Sequence, residues 1–151
     1  MKIIIDGDST PNKTEIIETG RKHGIKAVIV LSTEHFSEKL LDSYAEAVLV
    51  DNRPQEADIK IMNLAKAGDI VVTNDIPLSF MLQGGKVTVI NSRGMTVSKK
   101  DMRPGMEIHH DEKKMRRSGK IKRTGIRGPK KYSEEDKGNL IAALETAIKG
   151  I

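Results

Sequence analysis

Five short apolar runs recur along the first ninety residues of the chain. Each is too brief for a helix, and most are rich in β-branched residues, which indicates β-strands. The predicted strands cover residues 2–5, 27–31, 47–50, 70–72 and 86–90. Strands without a polar face are typical of a parallel sheet that is covered by helices on both sides.

Helical patterns fill the intervals between these runs. Thr10 and Pro11 predict the N-cap and the first position of a helix that ends at Gly24. Ser133, followed by three acidic residues, predicts the start of a C-terminal helix. Apolar spacing predicts the other helices, and the full set after the first is 37–44 (the weakest), 55–67, 77–82 and 133–149. The alternation predicts an α/β fold, a doubly wound and mostly parallel sheet of about five strands.

The composition is that of an ordinary globular protein. With 37% apolar and 31% charged residues, a chain of 151 residues is expected to form one domain over 1–151. The absence of cysteine excludes disulfides, thiolate metal sites and a catalytic thiol. No apolar stretch is long enough for a membrane span, and the first residues lack the features of a signal peptide. A cytoplasmic protein without a membrane partner is therefore expected.

Charge is distributed unevenly along the chain. Residues 1–85 carry nine Lys or Arg against thirteen Asp or Glu, whereas residues 86–131 carry fifteen against four. Residues 99–131 also lack periodicity, which predicts a basic and flexible segment. The pattern indicates a polyanionic partner, although a solvated loop without any ligand would have the same composition.

Seven basic residues within this segment are the candidates for binding nucleic acid. They are Lys113, Lys114, Arg116, Arg117, Lys120, Lys122 and Arg123. Such a cluster contributes salt-dependent binding to a phosphate backbone without regard to sequence. The chain has only four aromatic residues, two of which are expected in the core, so base stacking is predicted to contribute little.

Aspartates follow two of the five predicted strands directly. Asp6 and Asp8 follow the first strand, and Asp75 follows the fourth. Because ligands bind at the carboxyl ends of the strands in an open α/β sheet, these side chains are expected to converge at one edge. Asp58, in the first turn of a predicted helix, is expected to join them. Each has a structural alternative, since aspartate commonly forms turns and caps helices, and Asp75 is placed to cap the helix after it.

Four clustered carboxylates favour a hard divalent cation. Like charges that lie close together repel one another, and burial raises their pKa unless a cation neutralises them. Oxygen ligands suit Mg²⁺ or Mn²⁺, which activate water against a phosphodiester. The residues therefore predict a Mg²⁺ or Mn²⁺ site at this edge. Arg93, after the fifth strand, is expected either to grip a phosphate beside the site or to lie in a surface turn.

Four motifs along the chain have the residues and order of a known protein family. They are Ile3-Ile4-Ile5-Asp6-Gly7-Asp8 with Pro11, the segment 68–78 around Thr73-Asn74-Asp75, Asn91-Ser92-Arg93-Gly94, and a C-terminal set of Thr124-Gly125, Gly128-Pro129, Ser133 and Asp136. In these motifs the chain resembles the uncharacterised YaiI/YqxD family, which is regarded as PIN-like. The resemblance runs in register from residue 1 to about residue 148.

The resemblance implies a PIN-like three-layer domain and a divalent-metal-dependent ribonuclease of the endonuclease type, with RNA as the partner. Its implied catalytic and metal-binding residues are Asp6, Asp8, Asp58 and Asp75, with Thr73 and Asn74 orienting the ligands. The chain departs from the family at two points. It has Ser9-Thr10 where the family usually has Ala-Cys, and Ala57-Asp58-Ile59 where the family typically has adjacent acidic residues.

Two other functions stay open at this point. The single aspartate at the third position is also compatible with a non-catalytic RNA- or ribosome-associated binding protein that keeps a nuclease fold. A compact acidic site does not define substrate size, so a phosphatase-like enzyme for a small phosphorylated molecule is the third possibility.

Overall fold

A six-stranded sheet forms the centre of the protein. The computed structural model describes residues 1–53, 55–97 and 131–150. Its elements in chain order are β1 (Ile3–Asp6), α1 (Lys13–Lys22), β2 (Ala27–Ser32), β3 (Ala45–Val50), α2 (Glu56–Leu64), β4 (Ile70–Val72), α3 (Ile76–Leu82), β5 (Thr88–Ile90), β6 (Thr96–Val97) and α4 (Glu134–Lys149). None of the helices within these ranges is long and apolar enough to cross a membrane.

The strand order is β3-β2-β1-β4-β5-β6. All neighbouring pairs are parallel except β5 and β6, which are antiparallel. The five predicted strands are therefore confirmed. The sequence did not predict β6, because a strand of two residues is too short to leave a periodic pattern.

Helices cover both faces of the sheet. Alternate residues of a strand point to opposite faces, and β1 illustrates the division. Ile3 and Ile5 pack in a core cluster with residues of α1 and α4, whereas Ile4 packs in a second cluster with residues of α2 and α3. Because β1 is buried throughout, it carries no polar residue before Asp6. The predicted α/β class and the C-terminal helix are confirmed, in a three-layer arrangement.

Two local predictions were wrong. Helix α1 begins at Lys13, with Asn12 in the left-handed region at its N-cap, and not at Pro11. The Thr10 side chain does not cap it, because that hydroxyl donates to the carbonyl of Val72 at 3.4 Å. Residues 37–44 form only a single 3₁₀ turn, Glu38–Leu40, instead of a helix.

The prediction that two of the four aromatic residues lie in the core was also wrong. None of the four belongs to the buried core of the described residues. Phe36, Tyr44 and Tyr132 are partly exposed, and Phe80 on α3 is 46% exposed. The core is instead built from aliphatic side chains of the strands and of the helices that cover them.

A partly buried ion pair joins the start of β1 to the turn before β4. The Asp69 carboxylate accepts hydrogen bonds from the backbone N–H of Lys2 at 3.1 Å, from Lys2 Nζ at 2.6 Å and from the backbone N–H of Lys66 at 2.9 Å. Burial raises the pKa of Asp69, but the bonds from Lys2 and Lys66 outweigh it and hold the pKa below its ordinary value. Ionised Asp69 therefore stabilises the fold.

We expect the Asp69→Ala variant to be less stable than the wild type by about 2–3 kcal/mol at neutral pH, because three charge-assisted bonds are lost. Since the folded-state pKa is lowered, this contribution is present above the ordinary aspartate pKa and is lost as pH falls through the folded-state value. Urea unfolding at neutral and acidic pH measures both effects. The control is Asp42→Ala, which removes an exposed pair with Arg21 and one bond from the backbone N–H of Tyr44. Equal losses in the two variants would contradict the prediction.

Candidate functional site

The carboxyl ends of β1 and β4 lie next to each other at the centre of the sheet. From β1 the chain builds outward to β2 and β3, and then it returns to the other side of β1 to build β4 and β5. This reversal of direction is the position where open α/β sheets bind their ligands. Ile5 is in register with Val72, so Asp6 lies level with Thr73. Asp6 and the Thr73-Asn74-Asp75 segment therefore flank this point.

A tight turn after β1 holds Asp6 in place. The Gly7 N–H donates to the carbonyl of Val30 at 2.8 Å, and the N–H groups of Ser9 and Thr10 donate to the Asp6 carbonyl. A Cβ on Gly7 would lie 2.8 Å from the Cβ of Leu31, closer than packed carbon atoms come. Glycine is therefore required here, because the turn passes directly against β2.

Asp6 is the most buried of the four predicted carboxylates, with 5% of its surface exposed. Its Oδ2 accepts hydrogen bonds from the Thr73 hydroxyl at 2.7 Å and from the Ser9 hydroxyl at 2.9 Å. The Thr73 hydroxyl in turn accepts from the backbone N–H of Asp75 at 3.0 Å. Thr73 thus links the buried carboxylate on β1 to the loop that carries Asp75.

The environment of Asp6 opposes its ionisation. Burial raises the pKa of Asp6, the bonds from Thr73 and Ser9 lower it, and the charges of Asp75 and Asp8 raise it further, so that the net direction is upward. The pKa of Asp58 is also raised, by burial first and then by the charges of Asp75 and Asp6. The predicted carboxylates are therefore close enough to repel one another, and a bound cation would relieve this repulsion.

Asp8 and Asp75 have structural partners as well. The Asp8 carboxylate accepts from the backbone N–H of Ser32 at 3.2 Å and from its hydroxyl at 3.3 Å, at the end of β2. Asp75 caps α3, because its Oδ1 accepts from the backbone N–H of Leu78 at 2.8 Å. The structural alternative for Asp75, a helix cap, is thus present in the structure.

The four aspartates do not form a closed metal cage. Within the described ranges, no group of three or more His, Asp or Glu side chains is arranged to hold a metal ion. Asp6 Oδ1 and Asp75 Oδ2 nevertheless accept no hydrogen bond from any described residue. Mg²⁺ is usually bound by one or two carboxylates, with water and substrate phosphates as the other ligands. Asp6 and Asp75 each offer one such oxygen, and their negative charges repel each other. This arrangement fits binding by two carboxylates with water and phosphate, and not a site in which protein side chains supply all the ligands.

Asn74 joins the loops that follow three strands. Its side-chain oxygen accepts from the backbone N–H of Ser92 at 2.9 Å and from the Ser92 hydroxyl at 2.8 Å, and its amide donates to the Ser9 carbonyl at 2.8 Å. The loops after β1, β4 and β5 are therefore fixed to one another. Asn74 thus holds the loop that carries Asp75 against the two neighbouring loops.

Arg93 is directed to the start of α4. Its guanidinium donates to Asp136 at 3.0 Å and lies over the Tyr132 ring, with its carbon 5.9 Å from the ring centroid. Asp136 also closes a capping box with Ser133, which the sequence predicted only as the start of α4. A groove of about 590 Å³ lies between this turn and α4, and it is lined by Arg93 and not by any of the four aspartates.

Lys13 lies near the acidic edge, although the sequence did not predict a role for it. It is the first residue of α1, and its Nζ donates to the carbonyl of Thr10 at 2.9 Å. The ammonium is close enough to Asp8 and Asp6 to interact with their charges. A lysine five residues beyond an aspartate gives no recognisable motif, and the wrong helix start concealed its position. The seven predicted basic residues from Lys113 to Arg123 lie outside the described residues.

Comparison with known proteins gives one family. The model of the family described as "Uncharacterized BCR, YaiI/YqxD family" matches residues 4–150. A UPF0178 protein of Alkaliphilus metalliredigens is 32% identical over 99% of this chain and 92% of its own length. UPF0178 proteins of Bacillus cytotoxicus and Enterococcus faecalis are 33% and 32% identical, and each comparison covers at least 96% of both chains. No solved structure gives a significant match.

Proposed function

The chain belongs to the uncharacterised YaiI/YqxD family, and we propose that it is a Mg²⁺- or Mn²⁺-dependent phosphodiesterase of the PIN-like nuclease type that acts on RNA. One observation carries this proposal. The buried Asp6 carboxylate stands where the sheet reverses direction, next to Asp75 and Asp58, and its pKa is raised. A buried, repelled carboxylate at a ligand-binding edge is a feature of functional sites more than of structural ones.

Asp6 and Asp75 are the proposed direct ligands of the cation, through the oxygens that accept no hydrogen bond from the described residues. Asp58, which is partly exposed, is proposed to complete the site through water. Asp8 contributes negative charge while it accepts hydrogen bonds from Ser32. When bound, such an ion supplies activated water and neutralises charge on the phosphate.

The neighbouring side chains fix the ligands in place. The Thr73 hydroxyl donates to Asp6 and accepts from the Asp75 N–H, so the separation of the two proposed ligands is set by one buried side chain. Asn74 holds the loop of Asp75 against the loops after β1 and β5. A site that is held within narrow limits by such contacts favours catalysis over loose ion binding.

Charge supports RNA as the substrate class. The excess of eleven positive charges over residues 86–131 contrasts with the acidic first part of the chain. The basic segment attracts a polyanion, whereas the acidic edge repels it unless a cation is bound there. Dependence on a divalent cation and attraction to RNA are thus two parts of one proposal.

The test is an assay of RNA cleavage with Mn²⁺ on single- and double-stranded RNA. We expect Asp6→Asn and Asp75→Asn each to lower the rate by about a hundredfold or more, equivalent to roughly 3 kcal/mol of transition-state stabilisation. Asparagine at position 75 keeps the helix cap, so its loss of activity reports the charge. The matched control, Asp51→Asn, changes an exposed aspartate directly after β3 and should retain activity. Equal activity in all variants would mean that a contaminant cleaves the RNA.

The second candidate is an RNA-binding protein without turnover. It is favoured by the absence, in the described part of the chain, of three converging metal ligands. It predicts RNA binding with a steep salt dependence that Asp75→Asn does not alter and that neutralising the basic cluster removes. RNA binding without cleavage in any divalent cation would select it. A panel of small phosphate esters in the same assay tests the phosphatase-like alternative.

A further inference from the structure

A lysine ammonium lies inside the acidic surroundings of Asp6 and Asp8. Lys13 follows Asn12, whose φ of 60° turns the chain into α1. The Lys13 side chain folds back over this turn, and its Nζ donates to the Thr10 carbonyl at 2.9 Å. Because Thr10 closes the tight turn that begins at Asp6, the ammonium is tethered to the loop that carries both aspartates.

The position of Lys13 is unusual for a surface lysine. Its side chain is partly buried, and burial lowers its pKa while the charges of Asp8 and Asp6 raise it. Among the described residues no carboxylate lies within ion-pair distance of its Nζ. A salt bridge among the described residues therefore does not explain why this ammonium is partly buried. Its Nζ is held by the Thr10 carbonyl instead.

The proposed function gives this charge a role. A fixed ammonium next to carboxylates weakens their attraction for a free divalent cation, because like charges oppose each other over several ångströms. The same ammonium attracts the phosphate of a substrate, which adds negative charge to the site. The bound phosphate attracts the divalent cation in turn, so that metal and phosphate strengthen each other's binding.

We propose that Lys13 is the fixed cation of the acidic site: it lowers the affinity of the empty site for a free divalent cation and contacts a phosphate oxygen of the bound substrate. The proposal rests on the proposed function. It accounts for one further feature, the single aspartate in Ala57-Asp58-Ile59. A second metal ion would need more carboxylates, whereas a lysine supplies the second positive charge without them.

The test is calorimetric titration of Mn²⁺ into the whole protein, with and without an excess of uridine monophosphate. In the Lys13→Gln variant we expect Mn²⁺ alone to bind about tenfold more tightly than in the wild type, as for removal of one nearby positive charge. In the wild type a fixed concentration of uridine monophosphate should tighten Mn²⁺ binding. In Lys13→Gln, which lacks the contact to the phosphate, the nucleotide binds more weakly, so the same concentration should tighten Mn²⁺ binding much less. Lys13→Arg should behave as the wild type does, because it keeps the charge.

The control is Lys22→Gln, which removes an exposed positive charge at the other end of the same helix and should leave both quantities unchanged. Either an unchanged Mn²⁺ affinity or an unchanged effect of uridine monophosphate in Lys13→Gln overturns the proposal. The readout does not require cleavage. A protein with these binding responses that leaves RNA intact would reject the phosphodiesterase and retain the role of Lys13, whereas no Mn²⁺ binding in any variant would reject both.

Discussion

The Asp6→Asn variant is expected to unfold at a higher temperature than the wild type when no divalent cation is present. Burial and the charges of Asp75 and Asp8 raise the pKa of Asp6 even though Thr73 and Ser9 donate to it. The ionised carboxylate is therefore a net cost to the fold. Asparagine keeps an oxygen for both donors and removes the charge. A gain of about 1 kcal/mol would raise the melting temperature by about 2–4 °C in a domain of this size.

The pH dependence of this effect has a definite sign. Because the folded-state pKa is raised, the cost of ionising Asp6 is fully present above that pKa and disappears as pH falls to the ordinary aspartate value. The difference between Asp6→Asn and the wild type should therefore shrink in acid. The Asp69 contribution changes in the opposite direction, since its folded-state pKa is lowered. An Asp6→Asn variant less stable than the wild type in metal-free buffer would contradict this account of the acidic edge.

The Gly94→Ala variant is expected to show the largest loss of stability, about 2–4 kcal/mol. Gly94 has a φ of +84°, which a side chain disfavours, and a Cβ there would lie 2.4 Å from the backbone of Asn139 in α4. With a methyl group at this position, the turn after β5 could not approach α4 as it does now. Because Asn74 bonds to Ser92 in the same turn, we also expect weaker metal binding. Thermal and urea unfolding measure the first effect.

The control is a second glycine, which directly precedes Asn139 in α4. Gly138 lies exposed within α4, its φ is not positive, and a Cβ added there would have no neighbouring atom within 4 Å. Gly138→Ala should therefore stabilise the protein by about 0.5–1 kcal/mol, because alanine favours the helix. Opposite signs for the two glycines are the expected result. A Gly94→Ala protein as stable as the wild type would show that this turn is not tightly packed on α4.

The sequence predicts the parts of this fold that depend on burial. Strands β1, β2 and β4 are buried at every residue and therefore form apolar runs in the sequence, and the edge strand β3 is apolar enough to be recognised although it is partly exposed. The start of α4 at Ser133 was predictable because a capping box involves only neighbouring residues. The approach of Asp6 to Asp75 was also predictable. It follows from parallel strands, whose carboxyl ends share an edge, without any knowledge of side-chain contacts.

Features that depend on contacts between distant residues were not predictable. The Asp8 carboxylate bonds to Ser32, 24 residues away, and the Thr10 hydroxyl bonds to Val72, 62 residues away, which removes it from capping α1. The position of Lys13 near the site depends on α1 beginning at Lys13 and not at Pro11, which the sequence did not predict. In each case a polar side chain can bond either to the nearby backbone or to a residue far along the chain. The local sequence does not show which of the two partners it takes.

The response of the melting temperature to Mn²⁺, compared between the wild type and Asp6→Asn, tests the central claim most directly. Thermal unfolding of the wild type in increasing Mn²⁺ should give a saturable rise in melting temperature, since a ligand at a hundred times its Kd stabilises by about 2.7 kcal/mol. Asp6→Asn, although more stable without metal, should show no such rise, and Asp51→Asn should respond as the wild type does. A wild type that does not respond to Mn²⁺ or Mg²⁺, or an Asp6→Asn variant that responds equally, would contradict the claim that Asp6 is the centre of a divalent-cation site.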